Sequence, residues 1–277
     1  MYTENRFICI IIDIYTACHI DTIYLLKKFF TMKNYSYRRF IILTAPRSGS
    51  NLLSYLLHSH TSIVSIGEPY CIETIWGRPA KEYMDQNFIF KVLRDTAPGI
   101  FLRIALFHRY PENIAAVGFR IFYHHLDHFV GVRDILKSDT AIRVIHLKRR
   151  NLLENYVSLV IAHKTNTWSS LSPAQDQVPR FTLSSKECKE YFQYIKRSDD
   201  LYSKMFHHHS CLTVYYEDLL YRQKDECDRM LKFLNVNRQE LSCKLIKQNT
   251  RKPEDVIINY KDLKKGFLGT QWECLFA

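Results

Sequence analysis

The sequence predicts an α/β fold, a single domain in which a central parallel β-sheet is flanked by helices. Three observations carry that expectation. A short, continuous apolar run rich in branched residues lies at 40–43, the pattern of a strand buried on both faces, and further buried strands are expected at 116–123, 142–147 and 212–216. Helical spacing lies between or after these runs, and such alternation gives a parallel sheet covered on both sides. The 277 residues are 47% hydrophobic and 24% charged, enough apolar surface for a sizeable core, and no Pro/Gly/Ser-rich linker divides them. One domain is therefore expected over 37–277, behind an apolar N-terminal extension at 1–36.

Within that extension, residues 7–30 are mostly apolar and exceed the roughly 20 residues that cross a bilayer. Asp13, His19 and Asp21 interrupt the run, and acids in lipid are costly. The basic start and small-residue cleavage site of a secretory signal are missing. Three readings stay open: a weak membrane anchor, an amphipathic helix packed on the domain, or a segment ahead of a true start at Met32, which Lys33, Arg38 and Arg39 follow.

The first strand runs into Thr44-Ala45-Pro46-Arg47-Ser48-Gly49-Ser50-Asn51, after which Leu52, Leu53, Leu56 and Leu57 recur at helical spacing. A loop between a buried strand and a helix presents free backbone N–H groups at the positive end of the helix dipole, and that arrangement binds phosphate. Ser48, Gly49 and Ser50 are small enough for the backbone to approach an anion, Ser50 and Asn51 add side-chain donors, and Arg47 adds a cationic fork. A plain Gly-Ser turn with a capping serine reads the same way. The loop lacks the Lys that follows the second glycine of a Walker A motif, which disfavours a kinase or NTPase.

After the second strand come His124, His125 and His128, the outer two at an i, i+4 spacing that can hold a metal; without a neighbouring Cys or Glu set, no metal is expected. The third strand ends in Lys148-Arg149-Arg150-Asn151. Three consecutive cations at a strand's carboxyl end repel one another unless an anion relieves them. On the helix that follows, 152–163, the residues Leu152, Leu153, Tyr156, Leu159 and Val160 fall on one side. Asn151, Glu154, Asn155 and Ser158 fall on the other, a polar stripe that lets Arg150 and Ser158 both face the cleft beyond the strand ends. Residues 165–181 read as a long loop, and His207, His208 and His209 as a solvated one. The fourth strand ends at Tyr216-Glu217-Asp218, with Asp218 expected as a helix N-cap.

Composition narrows the ligand without naming it. Lys plus Arg number 39 against 28 Asp plus Glu, a formal charge of +11, which favours a nucleotide, nucleic acid, acidic glycan or lipid. The eight cysteines are scattered with no C-x-x-C pair, so a zinc ribbon and a thioredoxin-like motif are excluded and reduced thiols are expected.

The loop Arg47-Ser48-Gly49-Ser50-Asn51, paired with Arg150-Asn151 and Ser158, resembles the two nucleotide-binding segments of sulfotransferases that use 3′-phosphoadenosine 5′-phosphosulfate. Gly67-Glu68-Pro69, Gly118-Phe119-Arg120-Ile121-Phe122, Tyr216-Glu217-Asp218-Leu219, Ile258-Asn259-Tyr260 and Gly269-Thr270-Gln271-Trp272-Glu273 agree with it. Together they are similar to the bacterial carbohydrate sulfotransferases of the nodulation-protein and trehalose-sulfotransferase type, from Phe40 to the C-terminus. The resemblance implies a P-loop-like core and cytoplasmic sulfuryl transfer to a hydroxyl of a carbohydrate or glycolipid. It leaves adenosine 3′,5′-bisphosphate as product and involves no metal and no nucleic acid. A homodimer, and peripheral membrane contact through 7–30, are compatible with it.

Residue by residue, the resemblance puts the 5′-phosphosulfate on the first loop, Arg47 beside the leaving phosphate, and the 3′-phosphate on Arg150 and Ser158. Cytosolic members usually have Lys where this chain has Arg47, which points to a sugar acceptor. Arg251-Lys252 precedes Pro253 rather than the glycine of the family's C-terminal basic element, so that role is not carried over. Glu68 matches the acidic position that serves as base in trehalose-directed enzymes, while His124 or His125 is the alternative. Glu68 could instead pair with a neighbouring arginine. Specificity for the acceptor is expected in 165–181 and 76–108. Competing classes are a non-catalytic nucleotide-binding module, a basic nucleic-acid or membrane-surface protein, and a nucleotide kinase.

Overall fold

The computed structural model describes residues 35–71, 88–168, 179–243 and 251–276. The N-terminal apolar run, the 76–87 part of the segment expected to set acceptor specificity, and most of the 165–181 loop lie outside the described residues. Five strands form one parallel sheet in the order β2-β3-β1-β4-β5. They are β1 (Arg38–Thr44), β2 (Ile63–Ile66), β3 (Ala116–Phe122), β4 (Arg143–Lys148) and β5 (Cys211–Tyr215). Helix α1 (Ser50–His58) joins β1 to β2. Helices α2 (Phe88–Thr96) and α3 (Pro98–Phe101), then a π turn (Leu102–Leu106), precede β3. Between β3 and β4 lie α4 (Tyr123–His128) and α5 (Val130–Ser138), and α6 (Leu152–Thr165) and α7 (Ser185–Met205) separate β4 from β5. After β5 come α8 (Tyr216–Tyr221), α9 (Gln223–Leu234), α10 (Pro253–Val256), α11 (Tyr260–Gly266) and a 3₁₀ turn (Glu273–Phe276).

Alternation along each strand feeds two cores. Ile41 and Leu43 of β1 pack on one face with Val117, Phe119, Ile121 and Val144. Phe40 and Ile42 pack on the other with Leu53 and Leu56 of α1, Ile145, Leu147 and Val214. Consecutive side chains of a strand point to opposite faces, so a run with no polar interruption has to be covered on both. A third cluster joins α6 and α7 to the C-terminal elements through Leu153, Val157, Phe192, Leu263, Trp272 and Phe276.

Strand β2 is absent from the sequence expectation. It is four residues long, and Ser65 breaks its apolar run. Ser65 is buried because its hydroxyl shares a 2.8 Å hydrogen bond with Ser54 of α1, which removes the penalty of burying a polar group. His209 also departs from expectation: it is buried, with ring nitrogens 2.9 Å from the Ile142 carbonyl and 3.1 Å from the Lys137 carbonyl. Its neighbours His207 and His208 are exposed, as expected. The six described cysteines are free thiols. Among the described residues, no helix is long and apolar enough to cross a membrane.

Candidate active site

Strand register brings five chain segments to one edge of the sheet. Thr44 lies opposite Phe122 and Leu147, Ile66 opposite Phe119, and Lys148 opposite Tyr215. The chain winds from β1 toward β2 and β3 on one side and toward β4 and β5 on the other, so the topological switch falls between β1 and β4. Parallel sheets bind ligands at such a point, beyond the strands' carboxyl ends.

The loop after β1 occupies that point. Arg47 at φ 61° and Gly49 at φ 86° are both left-handed, and such residues flanking Ser48 curl the backbone into an anion-binding nest. Gly49 is obligatory there, because a methyl group would overlap the ring of Tyr216 in a conformation other residues avoid. Gly49 also caps α1 with no side-chain bond, and the first helical turn holds no acidic residue; the capping-serine reading does not apply. No acceptor among the described residues takes the N–H groups of Ser48 or Gly49.

Arg47 reaches across to α6, donating from Nε to Ser158 Oγ at 3.0 Å and from its guanidinium to the Trp168 carbonyl. Both partners are neutral. Burial lowers its pKa and the nearby Arg149 cation lowers it further, so the site favours an added negative charge. Arg149 is half-buried, lies over the ring of Tyr216 at 4.8 Å, and donates to the Arg47 carbonyl at 3.2 Å and to Glu154 at 2.7 Å.

Arg150 emerges from β4 half exposed. It makes a bidentate pair with Asp218 at 2.7 and 3.0 Å and lies 4.0 Å from the centroid of the Tyr215 ring. These bonds hold the Asp218 carboxyl down at about 2. Asp218 is therefore the partner of Arg150 within the first turn of α8 rather than the expected N-cap. Glu217 accepts from the N–H groups of Arg150 at 3.0 Å and Asn151 at 3.3 Å, and Asn151 caps α6 by accepting from the Glu154 N–H. The expected polar stripe on α6 is also corrected. Asn155 is 1% exposed, because its Nδ2 donates to the Pro46 carbonyl at 3.2 Å and to Ser48 Oγ at 3.3 Å. Ser158 meets Arg47, and Arg150 meets Asp218.

On the other side of β1, Glu68 follows β2. One carboxylate oxygen lies 3.5 Å from Arg120 Nε and the other 3.5 Å from His125 Nε2, so the arginine pairing anticipated for Glu68 is present. Arg120 is buried and also donates to Asn51 Oδ1 of α1. Burial lowers its pKa, and the Glu68 charge opposes that shift. Phe122 N–H donates to His125 Nδ1 at 3.3 Å, which leaves the ring proton on Nε2, toward Glu68. Burial pushes His125 down to about 2 and also lowers His124; both imidazoles are neutral at pH 7. Arg47 and the β4 loop thus form one half of the edge, and Glu68 with His124 the other. Among the described residues, no cluster of His, Cys, Asp or Glu could hold a metal ion.

Sequence reasoning named Arg120, Arg149 and Asn155 only within longer segments and gave none of them a separate role at the site. Arg120 carried a signal, as the lone charge inside an apolar strand run. A buried polar cluster behind β4 had none: Tyr123 OH lies 2.7 Å from His146 Nε2 and donates to Asp199, and burial pushes His146 down to about 3.

A family model described as "Sulfotransferase family" matches residues 39–240. Nodulation protein H of Rhizobium tropici is 29% identical over 245 residues, covering 86% of this chain and 92% of that protein. Nodulation protein H of Rhizobium meliloti (strain 1021) is 27% identical over 239 residues, covering 82% and 90%. Among solved structures, a sulfotransferase from Alicyclobacillus acidocaldarius matches 83% of this chain and 90% of its own, at 14% identity and a TM-score of 0.46.

Proposed function

The chain belongs to the sulfotransferase family, and from that premise we propose that it transfers a sulfuryl group from 3′-phosphoadenosine 5′-phosphosulfate to a hydroxyl of a carbohydrate or glycolipid. The observation that carries the donor is Arg47: a half-buried cation whose partners among the described residues are neutral, beside loop amides that no described residue accepts from. Such a constellation is preorganised for an anion, where fixed donors act without reorganising.

The residues present suit that nucleotide. Arg47, the hydroxyls of Ser48 and Ser50, and the N–H groups of Ser48, Gly49, Ser50 and Asn51 would hold the 5′-phosphosulfate. Arg150 and Ser158 would hold the 3′-phosphate, Arg150 exchanging part of its pairing with Asp218 for it. The bound nucleotide supplies the sulfuryl group and departs as adenosine 3′,5′-bisphosphate. Arg47 and the loop amides neutralise charge growing on the departing phosphate, Glu68 takes the acceptor's hydroxyl proton, and His124 is the second candidate for that proton. No metal enters these assignments. A cytoplasmic single domain over 37–277 follows from the same reading, with a homodimer and membrane contact through 7–30 as its accessory proposals.

The test is transfer of labelled sulfate from the nucleotide to a panel of oligosaccharides, lipid-linked glycans and simple phenols, with and without a metal chelator. Labelled glycan formed equally in both conditions is expected. Labelled phenol alone would overturn the acceptor class, and nucleotide binding without any transfer would make the chain a non-catalytic binding module.

A further inference from the structure

We propose that Asn155 is a positioning residue whose side-chain amide fixes the shape of the 45–50 loop, so that the loop's N–H groups face the 5′-phosphate of the nucleotide. The inference rests on the donor assignment above. A loop that gathers an anion with its N–H groups must turn its carbonyls outward, and outward carbonyls in a buried setting need donors of their own. The second nucleotide segment supplies them. Asn155 Nδ2 donates to the Pro46 carbonyl at 3.2 Å and the Arg149 guanidinium to the Arg47 carbonyl at 3.2 Å.

Asn155 carries the tighter constraint of the two. It is 1% exposed and sits in the second turn of α6, a position where asparagine gains nothing as a helix former and where an unpaired amide would be strongly disfavoured. Its bonds leave little freedom. The Pro46 carbonyl can only accept, so Nδ2 must face it, and Oδ1 then accepts from the hydroxyl of Tyr191 on α7. Nδ2 also donates to Ser48 Oγ at 3.3 Å. Ser48 therefore acts as acceptor toward Asn155, and its own hydroxyl proton is left to donate elsewhere, toward an anion in the loop. One buried amide ties together the loop, α6 and α7. Asn155 touches no substrate in this arrangement and acts through Pro46 and Ser48.

The test compares binding of adenosine 3′,5′-bisphosphate and adenosine 3′-monophosphate by calorimetry, on wild type, Asn155→Ala, Asn155→Asp and Tyr191→Phe. The ratio of the two Kd values isolates what the loop gains from the 5′-phosphate. Asn155→Ala is expected to reduce that ratio at least fivefold while the 3′-monophosphate Kd stays within twofold. Asn155→Asp, which turns the donor into a second acceptor and adds a negative charge, should reduce it further. Tyr191→Phe should shift it in the same direction by about twofold. A ratio unchanged in the folded variants, or equal weakening of both ligands, would overturn the inference; if Asn155→Ala does not fold, Tyr191→Phe decides alone. Wild type binding neither ligand would overturn the donor assignment itself, and with it the role of Asn155.

Discussion

Glu68→Gln is expected to lower kcat by about 10²–10⁴, the range general-base catalysis supplies, while the donor's KM changes little. Glutamine preserves the shape and one acceptor oxygen but cannot take a proton. The variant has a second consequence, because Arg120 would lose the carboxylate 3.5 Å away while staying buried. An uncompensated buried charge is destabilising by several kcal/mol in the general case, so a lowered melting temperature should accompany the loss of turnover. Glu68→Asp separates the two effects: it keeps the charge beside Arg120 but draws the carboxylate back by one methylene, so stability should recover further than kcat. His124→Asn provides the contrast. A full loss of turnover in that variant, with Glu68→Gln near wild type once folding is matched, would move the proton acceptor to His124.

Arg47→Ala is expected to lower kcat by about 10²–10³, the usual cost of removing one donor aimed at developing charge. Its backbone complicates the reading. Arg47 is left-handed at φ 61°, a conformation disfavoured for alanine by roughly 1–2 kcal/mol, so part of an alanine effect could come from the loop relaxing. Glycine adopts that conformation freely, and Arg47→Gly removes the guanidinium while leaving the loop unstrained. Both variants should lose turnover to a similar extent if the side chain is responsible. A glycine variant with wild-type kcat would assign the effect to the backbone alone. Arg47→Lys should fall between, because an ammonium restores the charge without the fork that reaches both Ser158 and the Trp168 carbonyl.

Much of this architecture is legible in the sequence. The run 40–43 is apolar at every position, and the structure buries it on both faces. The Arg47–Asn51 loop is legible because a strand, small residues and a helix follow one another without a gap. What is not legible depends on contacts between segments distant in the chain. The β2 strand is too short to show a period, and Ser65 within it is tolerated only because Ser54 of α1 answers it. Asn155 looks like part of a polar stripe facing the cleft because helical periodicity reports faces, not what lies against them; the loop at Pro46, 109 residues earlier, buries it. Glu217 and Asp218 follow the same logic. They read as the start of a helix, and their partners, 66 to 68 residues away, are the amides and guanidinium of the segment after β4.

The central claim is that two segments, one after β1 and one after β4, hold a nucleotide with phosphates at both the 3′ and 5′ positions. Its most direct test is calorimetric titration of adenosine 3′,5′-bisphosphate into wild type and Arg150→Ala without magnesium. Wild type is expected to bind more tightly than about 10 μM, and Arg150→Ala at least tenfold more weakly, a loss of about 1.4 kcal/mol. No binding by wild type, or equal binding by the variant, would contradict it.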